Sequence, residues 1–407
     1  MLILSLRSEG DVREETVRDN VRICLPRLMQ VGAGARKLLP QMLAALPGAT
    51  RPLIVTDRMM VQLGVADEIR DMLTAAGYEV GLFDAVQPDP TVSSVLAAVE
   101  MLEQGGYDCV IGLGGGSSLD AAKAVAVFSR HSRDIQFYRP PCEFNEPSLP
   151  LIAIPTTAGT GSEVTHHTVL IDDSTREKIS CRGEAFVPQG AIVDYELTLS
   201  KPARLTADNA LDTLTHAIEA YVSPKRTLFS DRMALDCMRL VGAHIETVRN
   251  APENRAAREG LMLAAMFGGL AFSNASVGLV HGMSRPLGST FHVPHGMSNA
   301  MLLPALVDFS LQSAPDRYAD CARAIGLATD ADDDAEAGRK LIAGLKEWNS
   351  RLSVPTLRSF GIDVDSFRRE VGRMVDEAIA SGAHRNSPRI ADRDEIVALY
   401  DGLIAAE

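Results

Sequence analysis

The sequence predicts an α/β half built on a parallel sheet with flanking helices, residues 1–199, followed by an all-helical half, residues 200–407. Three observations predict it. Short apolar runs recur through the first half at 52–56, 108–112 and 149–155, and read as buried parallel strands. Helical patterns fill the spaces around them, at 35–46, 58–76 and 91–104, the alternation that builds strand–helix–strand units. From about Leu199 the strand signal nearly vanishes, Pro202 marks a break, and apolar residues recur at helical spacing to the end.

Taken in order, residues 28–34 read as a strand entering a glycine turn. The run 52–56 leads into Asp57 at the strand's carboxyl end. A carboxylate there suits an adenosine ribose and repels a 2′-phosphate, which favours NAD over NADP. It equally suits the N-cap of the next helix, and Arg58 beside it would instead meet a phosphate. A strand at 78–83 and the helix 91–104 lead to the strand 108–112 and then to Gly114-Gly115-Gly116-Ser117-Ser118-Leu119-Asp120. Strand, glycine turn and helix start make a cradle for a pyrophosphate, because the backbone approaches closely and the first-turn N–H groups face the ligand. The motif is neither Gly-x-Gly-x-x-Gly nor a Walker loop, and a tight strand-to-helix turn uses the same glycines. The strand 149–155 runs into Thr156-Thr157-Ala158-Gly159-Thr160-Gly161, hydroxyls and glycines where α/β sheets bind ligands. Short strands at 164–171, 178–180 and 191–194 close this half, with His166 and His167 among them. Helices follow over 206–221, 231–250 and 255–272, with several more from 299 to 407.

The helical half holds a candidate metal site. Asp212 and His216 are four apart and project from one helical face. His281-Gly282 and Pro294-His295-Gly296 follow, and each glycine is expected to let the backbone bend close to an ion. A lone core histidine is more often hydrogen-bonded than ligating. One carboxylate and three imidazoles in one apolar stretch, however, make a shell for Fe²⁺ or Zn²⁺ with a position open for substrate.

The 407 residues carry a formal charge of −13, with 46% hydrophobic and 23% charged. That balance suits a globular enzyme and argues against nucleic acid or an anionic membrane as partners. Six scattered cysteines without a Cys-x-x-Cys pair point to reduced thiols in a cytoplasm. The start, 1–15, turns acidic at once and lacks the basic and apolar regions of a signal peptide. The most apolar run, 261–272, is too short to span a bilayer.

Gly114-Gly115-Gly116-Ser117, Ile154-Pro155-Thr156-Thr157-Ala158-Gly159-Thr160, the run 212–221, His281-Gly282-Met283 and Pro294-His295-Gly296 together resemble the iron-dependent (group III) alcohol dehydrogenases, the family that includes lactaldehyde:propanediol oxidoreductases. The resemblance runs nearly end to end and implies a dehydroquinate synthase-like architecture, with residues 1–199 binding NAD and residues 200–407 holding metal and substrate. It implies Asp212, His216, His281 and His295 as metal ligands. It also implies Gly114 to Ser117 at the pyrophosphate, Asp120, Thr156, Thr157 and Thr160 lining the cofactor site, Asp57 favouring NAD, and Lys178 near the nicotinamide ribose. The implied reaction is hydride exchange between nicotinamide C4 and a small alcohol or aldehyde, in a dimer or larger homo-oligomer paired through edge strands.

One position departs from the family's His-Gly-Met-x-His-Pro-Leu-Gly: the second histidine is Arg285. Arginine cannot serve as a base, so proton release falls to His292, His167, a ribose hydroxyl or water. Arg285 is read as facing an anionic substrate end, as a structural ion pair, or as a contact to the cofactor's pyrophosphate. A metal-independent reductase of the maleylacetate reductase type and a lyase of the dehydroquinate synthase type are the rival readings.

Overall fold

The computed structural model describes residues 20–405; the stretch 1–15, read as lacking a signal peptide, lies outside them. The first half runs β1 (Leu28–Val31), α1 (Leu39–Ala44), β2 (Pro52–Val55), α2 (Arg58–Gln62), α3 (Val65–Ala75), β3 (Gly81–Phe83), α4 (Val92–Gly105) and β4 (Cys109–Gly114). It continues through α5 (Gly116–Phe128), β5 (Leu151–Pro155), β6 (His167–Ile171), β7 (Lys178–Arg182) and β8 (Gly190–Val193). The second half is helical: α6 (Ala203–Val222), α7 (Leu228–Asn250), α8 (Arg255–Ser273), α9 (Leu279–Phe291) and α10 (His295–Ser310), then α11 (Pro315–Ile325), α12 (Asp334–Arg351), α13 (Val364–Ala380) and α14 (Arg393–Ala405).

Six strands form a parallel sheet in the order β1-β8-β5-β4-β2-β3, while β6 and β7 form a separate antiparallel pair. Both sheet faces are covered, which is why the strands read as unbroken apolar runs. Leu53, Val55 and Val110 pack with α4 and α5 on one side, and Ile54, Ile111 and Ile152 with α1 and α3 on the other, as the two-residue period of a strand requires. The core of the helical half takes in Ala158, Val164 and Val193 from the first half, so the two halves meet through buried apolar surface. No described helix is long and apolar enough to cross a membrane.

Several boundaries move from the expectation. The helix read over 58–76 is two helices, divided at Gly64, whose φ of 74° leaves the helical region. The helix at 35–46 opens as a 3₁₀ turn and its α part ends at Ala44. The strand at 78–83 shortens to three residues, and the run 164–171 becomes extended only from His167, because Ser162–Val164 forms a 3₁₀ turn. Short apolar runs do not distinguish a turn from a strand by periodicity.

The loop after β5 reaches α8 by backbone contact. A Cβ on Gly269 would stand 2.6 Å from the Gly161 carbonyl oxygen and 2.9 Å from its Cα. Gly269→Ala therefore forces the loop off α8. We expect a loss of about 1–3 kcal/mol, read as a lower midpoint in thermal unfolding.

Candidate functional site

Three helices bring the four predicted ligands together. Asp212 and His216 lie one turn apart on α6, His281 in the first turn of α9, and His295 at the first position of α10. Asp212 Oδ1 is 3.9 Å from His216 Nε2, 3.7 Å from His281 Nε2 and 3.6 Å from His295 Nε2, and one donor atom from each residue lies within 4.8 Å of the others. Donors about 2.1 Å from a shared ion stand roughly 3.0–4.2 Å apart, so the spacing fits a divalent cation. The two histidine-bearing helix starts also bring their positive dipole ends beside the Asp212 charge.

The protonation states suit the same group. Burial works to raise the Asp212 pKa, but the three neighbouring imidazoles overcome it and hold the carboxyl well below the usual range. Burial pushes His216 down to about 3, and His295 is lowered too although 42% of its side chain is exposed, leaving neutral rings with a lone pair to give. Burial also pulls His281 down, but the carboxylates of Glu219 and Asp212 outweigh it and the pKa rises.

Two supporting residues escaped the sequence reading. Glu219 accepts from His281 Nδ1 at 2.6 Å and from the Val280 N–H at 2.7 Å, which fixes the His281 tautomer with Nε2 facing Asp212. The Asn299 side-chain amide donates to Asp212 Oδ1 at 2.6 Å, with Nδ2 also 3.1 Å from His281 Nε2 and 3.3 Å from His295 Nε2. The signal was present: Glu219 lies three residues after His216 and Asn299 four after His295, both on the ligand face of their helices.

The two His-Gly glycines work differently from expectation. Gly282 and Gly296 lie inside regular helix rather than at a bend. Gly296 is needed for close packing, since a Cβ there would meet the Asp208 carbonyl oxygen at 2.4 Å and Asp212 Cβ at 3.2 Å. Its missing side chain lets α10 reach α6.

A cavity of about 740 Å³ runs from this cluster to the start of α5. At the far end Gly115 is the N-cap of α5 without a capping side chain, so the first-turn N–H groups remain available to an anion. Gly114 takes φ 145°, and a Cβ on Gly116 would lie 2.8 Å from Thr160 Cγ2. Gly116, Ser117, Asp120, Thr160 and Lys178 line the cavity. Both Asp120 oxygens already accept hydrogen bonds, from Ser162 Oγ and the Val169 N–H, and Lys178 pairs with Asp89 at 2.8 Å. Thr157 packs beside Gly115, and Thr156 Oγ1 is buried without a partner among the described residues. Asp57 caps α2 through Oδ1, while Oδ2 accepts from Ser118 Oγ at 3.1 Å. The capping reading of Asp57 is the one these bonds show.

His167 and Arg285 line the cavity, whereas His292 is not among its lining residues. His292 is an exposed C-cap of α9 with φ 56°. The break between α9 and α10 places it outside the cleft although it is only three residues from His295. Arg285 makes no ion pair among the described residues.

Residues 26–195 match the family described as iron-containing alcohol dehydrogenase, and residues 206–404 match the C-terminal part of the Fe-containing alcohol dehydrogenase family. The chain is 34% identical over 387 residues to the NADPH-dependent butanol dehydrogenase of Clostridium saccharobutylicum, covering 94% of this chain and 97% of the relative. The chain belongs to the iron-containing alcohol dehydrogenases. It is also 32% identical to lactaldehyde reductase of Escherichia coli (strain K12), over 87% of this chain and 92% of that one. The crystal structure of a 1,3-propanediol oxidoreductase superposes with a TM-score of 0.90 at 31% identity, covering 94% of this chain and 100% of the other. This iron-containing alcohol dehydrogenase is thus an alcohol/aldehyde oxidoreductase using a metal ion and a nicotinamide cofactor, and the lyase reading falls away.

Glu219→Gln keeps the side-chain volume of this alcohol dehydrogenase but removes the carboxylate that orients His281. Metal affinity is expected to fall by about 10–100-fold, measured by competition against a chromophoric chelator.

Proposed function

We propose that this chain is a Fe²⁺-dependent, NAD-linked dehydrogenase of small alcohols, working in reverse as an aldehyde reductase. Asp212, His216, His281 and His295 hold the ion, and the turn from β4 into α5, Gly114 to Ser117, holds the pyrophosphate. The observation that carries the reading is the cleft itself, with four convergent donors at one end and an uncapped helix start at the other. When bound, the metal supplies a Lewis acid for the substrate oxygen, and the nicotinamide accepts or returns the hydride.

The chain's own groups do the positioning. Phe272 stacks on the His216 ring at 4.4 Å, holding that ligand's plane and keeping water from its face. Lys178 lines the cleft and Thr160 lines it beside Gly116, where both would meet the cofactor. His167 stacks on His166 at 4.2 Å, and burial, with the neighbouring cations, keeps it neutral. Its Nδ1 is buried without a partner among the described residues, so Nε2 is the atom that receives a proton on oxidation and passes it onward rather than holding it. Asp57, at the end of β2, would accept from the adenosine ribose and disfavour a 2′-phosphate.

A second copy of the chain completes the reading. β1 is an edge strand, and Met29 and Val31 are exposed, as are Val21, Ile23 and Leu25 before it. Pairing with the same edge of a partner would cover that row. The six cysteines are all free, which fits a cytoplasmic enzyme.

Chelation should abolish NADH-linked alcohol oxidation, with about one metal per chain lost, and Fe²⁺ should restore it better than Zn²⁺. Activity that persists in demonstrably metal-free protein would favour the metal-independent reductase. Asp57→Ser retains a capping oxygen and should shift the kcat/KM ratio of NAD⁺ to NADP⁺ towards NADP⁺ by on the order of tenfold.

A further inference from the structure

Arg285 stands out among the charged groups of the cleft. Three other cations on its wall are neutralised: Arg22 pairs with Glu184 at 2.9 Å, Lys178 with Asp89 at 2.8 Å and Arg182 with Glu143 at 3.1 Å. Arg285 has no hydrogen bond and no carboxylate within 4.0 Å among the described residues, although its side chain is largely removed from solvent. The carboxylate it feels most is Glu219, whose oxygens are already taken by His281 Nδ1 and the Val280 N–H. A half-buried cation without a counter-ion is costly, and the cleft it lines is open to a ligand.

Its position says which ligand. Arg285 lies one turn after the ligand His281 on α9, hence on the same helical face. It acts electrostatically on His167, His216 and His295, all at the metal end, away from the α5 turn that suits the pyrophosphate. A guanidinium is a planar fork that takes carboxylate, sulfonate or phosphonate oxygens two at a time. One helical turn is about 5–6 Å, so the guanidinium and the four-donor cluster can share one short ligand.

We propose that Arg285 clamps the anionic end of the substrate, so that the preferred substrate is a short aldehyde or alcohol bearing a carboxylate, sulfonate or phosphonate. The proposal rests on the oxidoreductase reading of the cleft and adds the substrate class. The reaction is unchanged: the aldehyde carbon gains hydride from NADH, its oxygen gains a proton, and alcohol and NAD⁺ leave. Arg285 takes no part in the proton transfer and acts by holding the remote end.

The test uses metal-loaded full-length enzyme with NADH and three aldehydes: butanal, succinic semialdehyde and sulfoacetaldehyde. The wild type is expected to favour the anionic aldehydes. In Arg285→Ala the ratio of kcat/KM for an anionic aldehyde over butanal should fall on the order of 10²-fold, mainly through KM, with partial recovery in Arg285→Lys. A binding readout accompanies it: succinate or ethanesulfonate should quench or shift the NADH fluorescence of the wild type and not of the alanine variant. Equal losses on all three aldehydes, or no anion preference in the wild type, would overturn the clamp alone. Reduction of none of them would overturn the oxidoreductase reading and the clamp with it.

Discussion

The site depends on keeping the Asp212 carboxylate ionised where almost no water reaches it. Desolvation alone would protonate that group. What opposes it is the Asn299 amide, which donates to Oδ1, together with the imidazoles of His216, His281 and His295 around it. These groups are spread over α6, α9 and α10, so the charge is tolerable only after the three helices have packed. The fold therefore builds the anion and its surroundings in one step, and the close contact at Gly296 fixes how near α10 can approach.

Much of this was legible in the sequence, for identifiable reasons. Asp212 and His216 share a helix, so their spacing alone puts them on one face. His281 and His295 were legible as motifs, though not from any local rule that joins them to α6. The buried strands were legible because a sheet covered on both sides leaves apolar runs. Glu219 and Asn299 were missed because their roles arise where helices cross, and each looks alone like an ordinary polar residue on a helix. His292 was placed in the pocket because it lies near a ligand along the chain, and the break after α9 turns it outward instead. Asp57 was left between two roles and performs the capping one, with its second oxygen still turned towards Ser118.

The cleft divides its labour between two chemistries of binding. In the proposed reading, nucleotide recognition at α5 would rest on main-chain N–H groups and on glycines that leave room, with side chains in support. The metal end is the reverse: four side chains offer the donors, and Glu219 and Asn299 orient them. The Gly161–Gly269 contact ties the loop that lines the first end to the helix that carries Phe272 at the second, so the spacing between the ends is set by packed backbone.

That division has a consequence for how the enzyme tolerates variation. Around the α5 turn, replacement of the polar residues leaves the backbone cradle in place, whereas a single added methyl at Gly114 or Gly116 collides with Ser118 or Thr160. At the four-donor end, any change of side-chain chemistry removes a ligand or its support. Substitution at the polar positions can therefore change what the cleft binds while the glycines persist, and so can change at positions such as Arg285, which line the cleft beside the four donors.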